Sequence, residues 1–185
     1  MTAQQEEVVL VDHAGAAVGT APKREVHTAD TPLHRAFSCH ILNSAGQVLL
    51  TRRALSKITW PGVWTNSLCG HPAPGEDTLE AVLRRARQEL GASITGIRAA
   101  LPDFWYRAED ASGIVEYEIC PVFVAMLDGE ISPSPDEVCE WAWVEPAQLI
   151  EAVQAAPFAF SPWLTMHVPE IEPFLTEQRR PEGAR

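Results

Sequence analysis

Basic residues are scarce in this sequence: 14 lysines and arginines face 25 aspartates and glutamates, a formal net charge of −11 over 185 residues. Nucleic-acid binding needs a basic footprint, so the overall balance argues against that partner. Long apolar runs are missing too. No stretch approaches the roughly 18–20 residues of a membrane span, and the acidic start MTAQQEEVVLVDHAG is unlike the basic-then-apolar opening of a secretory signal. The expectation is a cytoplasmic protein with no membrane partner, acting as a monomer. The four cysteines, Cys39, Cys69, Cys120 and Cys139, form no C-x-x-C pair, so free thiols are expected rather than disulfides. Internal repeats and low-complexity linkers are also absent. With ordinary hydrophobic and charged fractions of 46% and 21%, one domain spanning 1–185 is expected, with loose ends at 1–6 and 178–185.

What is present centres on Trp60 to Gly91, a loop followed by an amphipathic helix. Leu79, Val82, Leu83, Ala86 and Leu90 recur at helical spacing and predict one apolar stripe. Asp77 fits the N-cap, with Glu80 reaching back to it, and Gly91 fits the C-terminal stop. Upstream, Val8 to Val11 and His34 to Leu42 read as strands. Ala36 to Arg52 reads as a hairpin with Ala45-Gly46 at its tip. Downstream, Ile94 to Ala100, a long strand from Val115 to Met126, and Val138 to Val144 precede two helices that carry proline in their first turns, Pro146 to Ala155 and Pro162 to Thr176. Strands around a central helix predict an α+β or α/β sandwich.

Cys69 and His71 stand two apart, so an extended backbone turns both to one face. Spacing alone leaves Cys69 open as a reactive thiol or a small buried apolar group. Glu116 and Glu118 repeat the pattern inside an apolar run. Paired carboxylates there are costly unless a cation neutralises them, or else that face is solvent-exposed. His27 and His34, with His71, Glu116 and Glu118, would supply three nitrogens and two oxygens, a set suited to manganese or another divalent ion. His13, His40 and His167 carry no signal. Lys23, Arg52, Arg53, Lys57, Arg84 and Arg85 gather cations mostly around the central stretch, and guanidinium groups match phosphate oxygens. Trp163 has a face that can stabilise a cation, although core packing is the simpler reading.

Gly70, Glu76, Arg84, Glu89 and Gly91 fall on the pattern of the Nudix box, while Arg85 and Gln88 stand where that box has glutamates. Those departures remove most of the acidic cluster of a Nudix pyrophosphohydrolase. Together with LHRAFS, TRRALSK, WPGVWTNSLCGHP, YRA, GIVEYEICPVF and FSPW, they make the chain resemble the type 1 isopentenyl-diphosphate isomerases from about Lys23 to Trp163. The resemblance implies a Nudix-type α/β/α sandwich with a mixed central sheet, and a small-molecule diphosphate as substrate. It implies Cys69 and Glu118 as catalytic groups, assisted by Tyr106, and Trp163 facing a carbocation. It further implies a metal held by His27, His34, His71, Glu116 and Glu118, a magnesium ion held by Glu89 and the backbone of Cys69, and a diphosphate grip from Lys23, Arg53, Lys57 and Arg85.

Overall fold

The computed structural model describes residues 6–177. The ends expected to be loose, 1–6 and 178–185, lie outside the described residues except for Glu6, whose carboxylate pairs with Lys23. Two mixed sheets form the frame. The smaller has five strands in the order β2 (Ala17–Pro22), β1 (Glu7–Val11), β3 (His34–Arg35), β10 (Val115–Ile119), β9 (Trp105–Glu109). The larger has a path of β12 (Val138–Val144), β5 (Val48–Arg53), β4 (Phe37–Leu42), β11 (Val122–Asp128) and β8 (Ser93–Leu101), with short β6 (Trp64–Thr65) on β5 and β7 (Leu68–Gly70) on β4. Among the described residues no helix is long and apolar enough to cross a membrane.

Strand β4, FSCHIL, is buried at every position, as a strand covered on both faces must be. Alternate side chains enter different cores. Phe37, Cys39 and Ile41 pack with Val82, Ala86 and Leu90 of α1 (Thr78–Leu90). Leu42, with Val48, Leu50, Val122 and Val124, packs against Leu149 and Val153 of α2 (Pro146–Ala155) and Leu164, Val168, Ile171 and Leu175 of α3 (Pro162–Thr176). Helix, sheet and helix pair make the expected layers.

Three local expectations change. The stretch from Val115 to Met126 is two strands in different sheets, broken at Cys120-Pro121. Pro121 has no N–H to give a ladder. The neighbouring strand breaks beside it at Ala36, whose N–H bonds the Ile119 carbonyl while that of Ser38 bonds the Pro121 carbonyl. The pair therefore passes from one sheet to the other together. The hairpin of β4 and β5 pairs only at Leu42 and Val48; beyond that the strands splay, and β7 and β6 occupy their inner edges. In α1 the Asp77 cap is present, bonding the Leu79 N–H, but Glu80 is exposed. Leu79 is exposed as well, and Arg85 and Glu89 are buried in its stead. The buried face is thus rotated toward β7.

His40 and His167, silent in the sequence, meet across β4 and α3 with Nε2 and Nδ1 3.1 Å apart, both fully buried. Burial pushes His40 down to about 3 and His167 well below its usual range. The folded state refuses protons that the unfolded chain accepts below about pH 6.5, so stability falls with acidification, by about 2 kcal/mol for His40 alone at ~pH 5. Urea unfolding at neutral and mildly acidic pH measures this. His71, also pushed down by burial, to about 4, contributes in the same direction. A His40→Leu, His167→Leu variant is expected to lose much of the slope, and an unchanged slope contradicts the assignment.

Candidate active site

The crossing of the two strand pairs brings the predicted residues together. In β10, Glu118 lies opposite His34 on one side and Tyr106 on the other. In β7, Cys69 pairs with Ser38, so Leu68 and Gly70 turn to the α1 layer and Cys69 turns away from it. His71, two residues on, shares the cavity with Cys69 as the spacing predicts. All four cysteines are free thiols.

Around one oxygen of Glu118 stand three imidazoles: His71 Nε2 at 3.1 Å, His34 Nε2 at 3.4 Å and His27 Nε2 at 4.0 Å. Ligand atoms of these four residues lie within 4.8 Å of one another. His34 Nδ1 is 2.9 Å from the Pro32 carbonyl. A carbonyl only accepts, so Nδ1 carries the hydrogen and Nε2 of the neutral ring points a lone pair at a carboxylate. Two acceptors at that separation need a cation between them, a proton or a metal ion. The buried Nε2 atoms of His27 and His34 have no other partner among the described residues, and His34 has the second-sphere carbonyl that orients a metal-binding histidine. The donor set fits a divalent ion. Burial works against charge on Glu118, yet the three imidazoles hold its carboxyl well below the usual range.

Glu116 stands one step back from this cluster. Its oxygens accept hydrogen bonds from Thr59 at 2.5 Å and from the Tyr106 hydroxyl at 2.6 Å, and that hydroxyl is also 3.0 Å from Glu118. Burial, then the charge of Glu118, raises the Glu116 carboxyl; burial and both carboxylates raise Tyr106. Burial pushes the Cys69 thiol up to about 12.

Except for His34, which lies behind the wall, these groups line a cavity of about 930 Å³ that also contains Trp163, Lys23, Arg53, Lys57, Arg85 and Glu89. Trp163 is buried, with Trp60 edge-on to it at 5.3 Å and the Arg53 guanidinium 5.4 Å from its ring centre. Trp60 holds this position with a left-handed backbone, φ 41°, unusual for a bulky residue. Each expected diphosphate grip already has a partner. Lys23 pairs with Glu6, Lys57 with Glu137, Arg85 with Glu89 at 2.6 Å and Glu137 at 3.1 Å, and Arg53 donates to the Thr59 carbonyl. Glu137, Thr59 and Asn66 are participants that spacing arguments missed. Glu137 reaches Arg85 from far along the chain; Asn66 lies within WPGVWTNSLCGHP.

A family model for the NUDIX domain matches residues 32–164. The chain is 58% identical over 173 residues to the isopentenyl-diphosphate Delta-isomerase of Clavibacter sepedonicus, covering 94% of this chain and 91% of that one. It is 56% identical over 190 residues to the protein of the same name from Corynebacterium efficiens, covering 99% and 100%. Among solved structures, DR0079 from Deinococcus radiodurans superposes with a TM-score of 0.68 at 23% identity, over 89% of this chain and 98% of that one. The MutT protein from Methanosarcina mazei Go1 gives 0.57 at 22%, over 80% and 97%. At those identities the structural likeness is one of fold.

Gly70 connects the helix to the cavity. A Cβ there would stand 2.8 Å from Arg85 Cγ and 3.0 Å from the Phe37 ring, and Arg85 is pinned by two carboxylates. Gly70→Ala is expected to destabilise by about 1–3 kcal/mol and to displace Arg85 from Glu89. Thermal unfolding checks the first, and a crystal structure of the variant the second; wild-type stability with Arg85 in place contradicts both.

Proposed function

Since this chain belongs to the Nudix family and, within it, to the isopentenyl-diphosphate Delta-isomerases, we propose that it interconverts isopentenyl and dimethylallyl diphosphates as a cytoplasmic, monomeric enzyme of isoprenoid biosynthesis. The observation that carries the reading is one cavity in which a thiol, a histidine-ringed carboxylate with its tyrosine, an indole and five cationic side chains are collected. The isomerisation adds a proton to the terminal alkene carbon and removes one from the carbon nearer the diphosphate, through a tertiary carbocation. Water must be kept out and the cation met by an electron-rich face. Trp163 offers that face, and its burial with Trp60 and Tyr106 keeps the wall dry.

Cys69 and Glu118 are the two groups that exchange protons with substrate. The Tyr106 hydroxyl, hydrogen-bonded to both Glu116 and Glu118, allows a proton to pass between the two carboxylates. Lys23, Arg53, Lys57 and Arg85 receive the diphosphate. His27, His34, His71 and Glu118, with Glu116, would hold one divalent ion, manganese or another; Glu89 and the backbone of Cys69 would hold magnesium with the diphosphate. Bound metal supplies positive charge that keeps the Glu118 carboxylate in place and offsets the diphosphate. A hydrolase reading is disfavoured by Arg85, whose guanidinium occupies Glu89 where a diphosphate hydrolase needs further carboxylates.

In deuterated water with divalent metal, isopentenyl diphosphate is expected to give deuterium-labelled dimethylallyl diphosphate without release of phosphate. Cys69→Ala and Glu118→Gln are each expected to lose about 10³-fold or more in kcat while circular dichroism stays unchanged. Near-normal turnover by either variant removes it from the proton transfer, and phosphate release by the wild type favours hydrolysis instead.

A further inference from the structure

Asn66 is fully buried and stands behind the cavity wall. Its amide nitrogen donates to the backbone carbonyls of Leu68 at 2.7 Å and Cys39 at 3.2 Å. Its oxygen accepts from the Trp163 indole N–H at 2.9 Å, the Thr65 hydroxyl at 2.9 Å and the Cys69 thiol at 3.3 Å. The orientation of this amide is determined by its partners. Carbonyls only accept and an indole N–H only donates, so exchanging the amide oxygen and nitrogen would turn three of these bonds into repulsions. The same network reaches the start of α3, because Thr65 is also 2.8 Å from Ser161 Oγ, and Ser161 stands immediately before the helix that begins with Pro162 and Trp163.

We propose that Asn66 is a positioning residue for the isomerisation, one carboxamide oxygen fixing both the Cys69 thiol and the Trp163 ring against the substrate. The inference rests on the roles given to those two residues above. A thiol that is free to turn about its Cα–Cβ bond, or an indole free to rotate its face away, lowers the fraction of bound substrate in a reactive arrangement. Cys69 sits on β7 and Trp163 on α3, and the thiol packs against the cluster that holds the indole. The shared acceptor registers one against the other, and it does so without touching the substrate, since Asn66 does not line the cavity.

Loss of the amide in Asn66→Ala is expected to lower kcat by about 100-fold, the cost of a misplacement of about 1 Å, while KM changes little because the cations that receive the diphosphate are untouched. Asn66→Asp, which keeps an oxygen facing the thiol and the indole, is expected to retain more activity than Asn66→Ala. Tryptophan labelled with 15N gives a readout that general loosening does not move. In Asn66→Ala only the Trp163 indole signal, assigned with Trp163→Phe, is expected to shift, with the other five in place. A wild-type measurement serves if the alanine variant does not fold: the Trp163 N–H is expected to exchange with solvent far more slowly than those of exposed Trp105 and Trp141. An Asn66→Ala enzyme with wild-type kcat, or a wild-type Trp163 N–H exchanging as fast as Trp105, overturns the proposal. If the wild type does not isomerise the substrate at all, the functional reading fails, while the indole measurements still report whether the amide holds the ring.

Discussion

Three imidazoles and a tyrosine hydroxyl crowd one buried carboxylate, and the structure depends on holding them there. Glu118 is in place because β10 runs parallel to β3 and antiparallel to β9, which puts His34 and Tyr106 beside it by register alone. His27 and His71 arrive from loops on either side. Without a cation, the His34 lone pair faces the Glu118 carboxylate, and that contact would relax outward if the strands allowed it. The strands do not allow it, because β3 and β10 continue as β4 and β11 into the core of the larger sheet, where every residue of β4 is buried.

That continuity explains which parts of the fold were legible. The helix ending at Gly91, the strand Val138–Val144 and the two proline-started helices coincide with their sequence-read bounds or nearly so, because each carries a local cap, stop or alternation. The break at Cys120-Pro121 was not read, since apolar residues continue across it and only the proline marks the change of sheet. Leu79 was read as core from its spacing, yet it is exposed while Ala81 and Val82 are buried. Arg85 and Glu89 take buried places that no hydrophobic pattern predicts, because their mutual charge makes burial tolerable.

For the site, pairs at i and i+2 were the informative signal. They placed Cys69 with His71 and Glu116 with Glu118 on shared faces; β10 carries the second pair, and the first meets in one cavity although His71 lies just past the end of β7. The same rule does not say how far along a strand a ligand cluster extends. Glu116, one pleat further from His34, bonds Thr59 and Tyr106 instead. Its place between a hydroxyl and a phenol makes it part of the Glu118 surroundings without being one of the converging four.

Charge balance links the cavity to the need for divalent ions. Its lining includes Lys23, Arg24, Arg53, Lys57 and Arg85 against Glu6, Glu89, Glu116, Glu118, Asp136 and Glu137, so carboxyl groups outnumber cations by one even before a diphosphate enters. Lys57 and Arg85 are already engaged by Glu137 and Glu89. An incoming polyanion must compete with these carboxylates for the same guanidinium and ammonium groups, at short range and with little water to screen the repulsion. The divalent ion proposed at Glu89 would ease that competition, because it would give the carboxylate another partner and add positive charge beside the phosphates. An acidic protein could in this way hold an acidic substrate, and the count of charges around the cavity supports the proposed metal as much as the histidine cluster does.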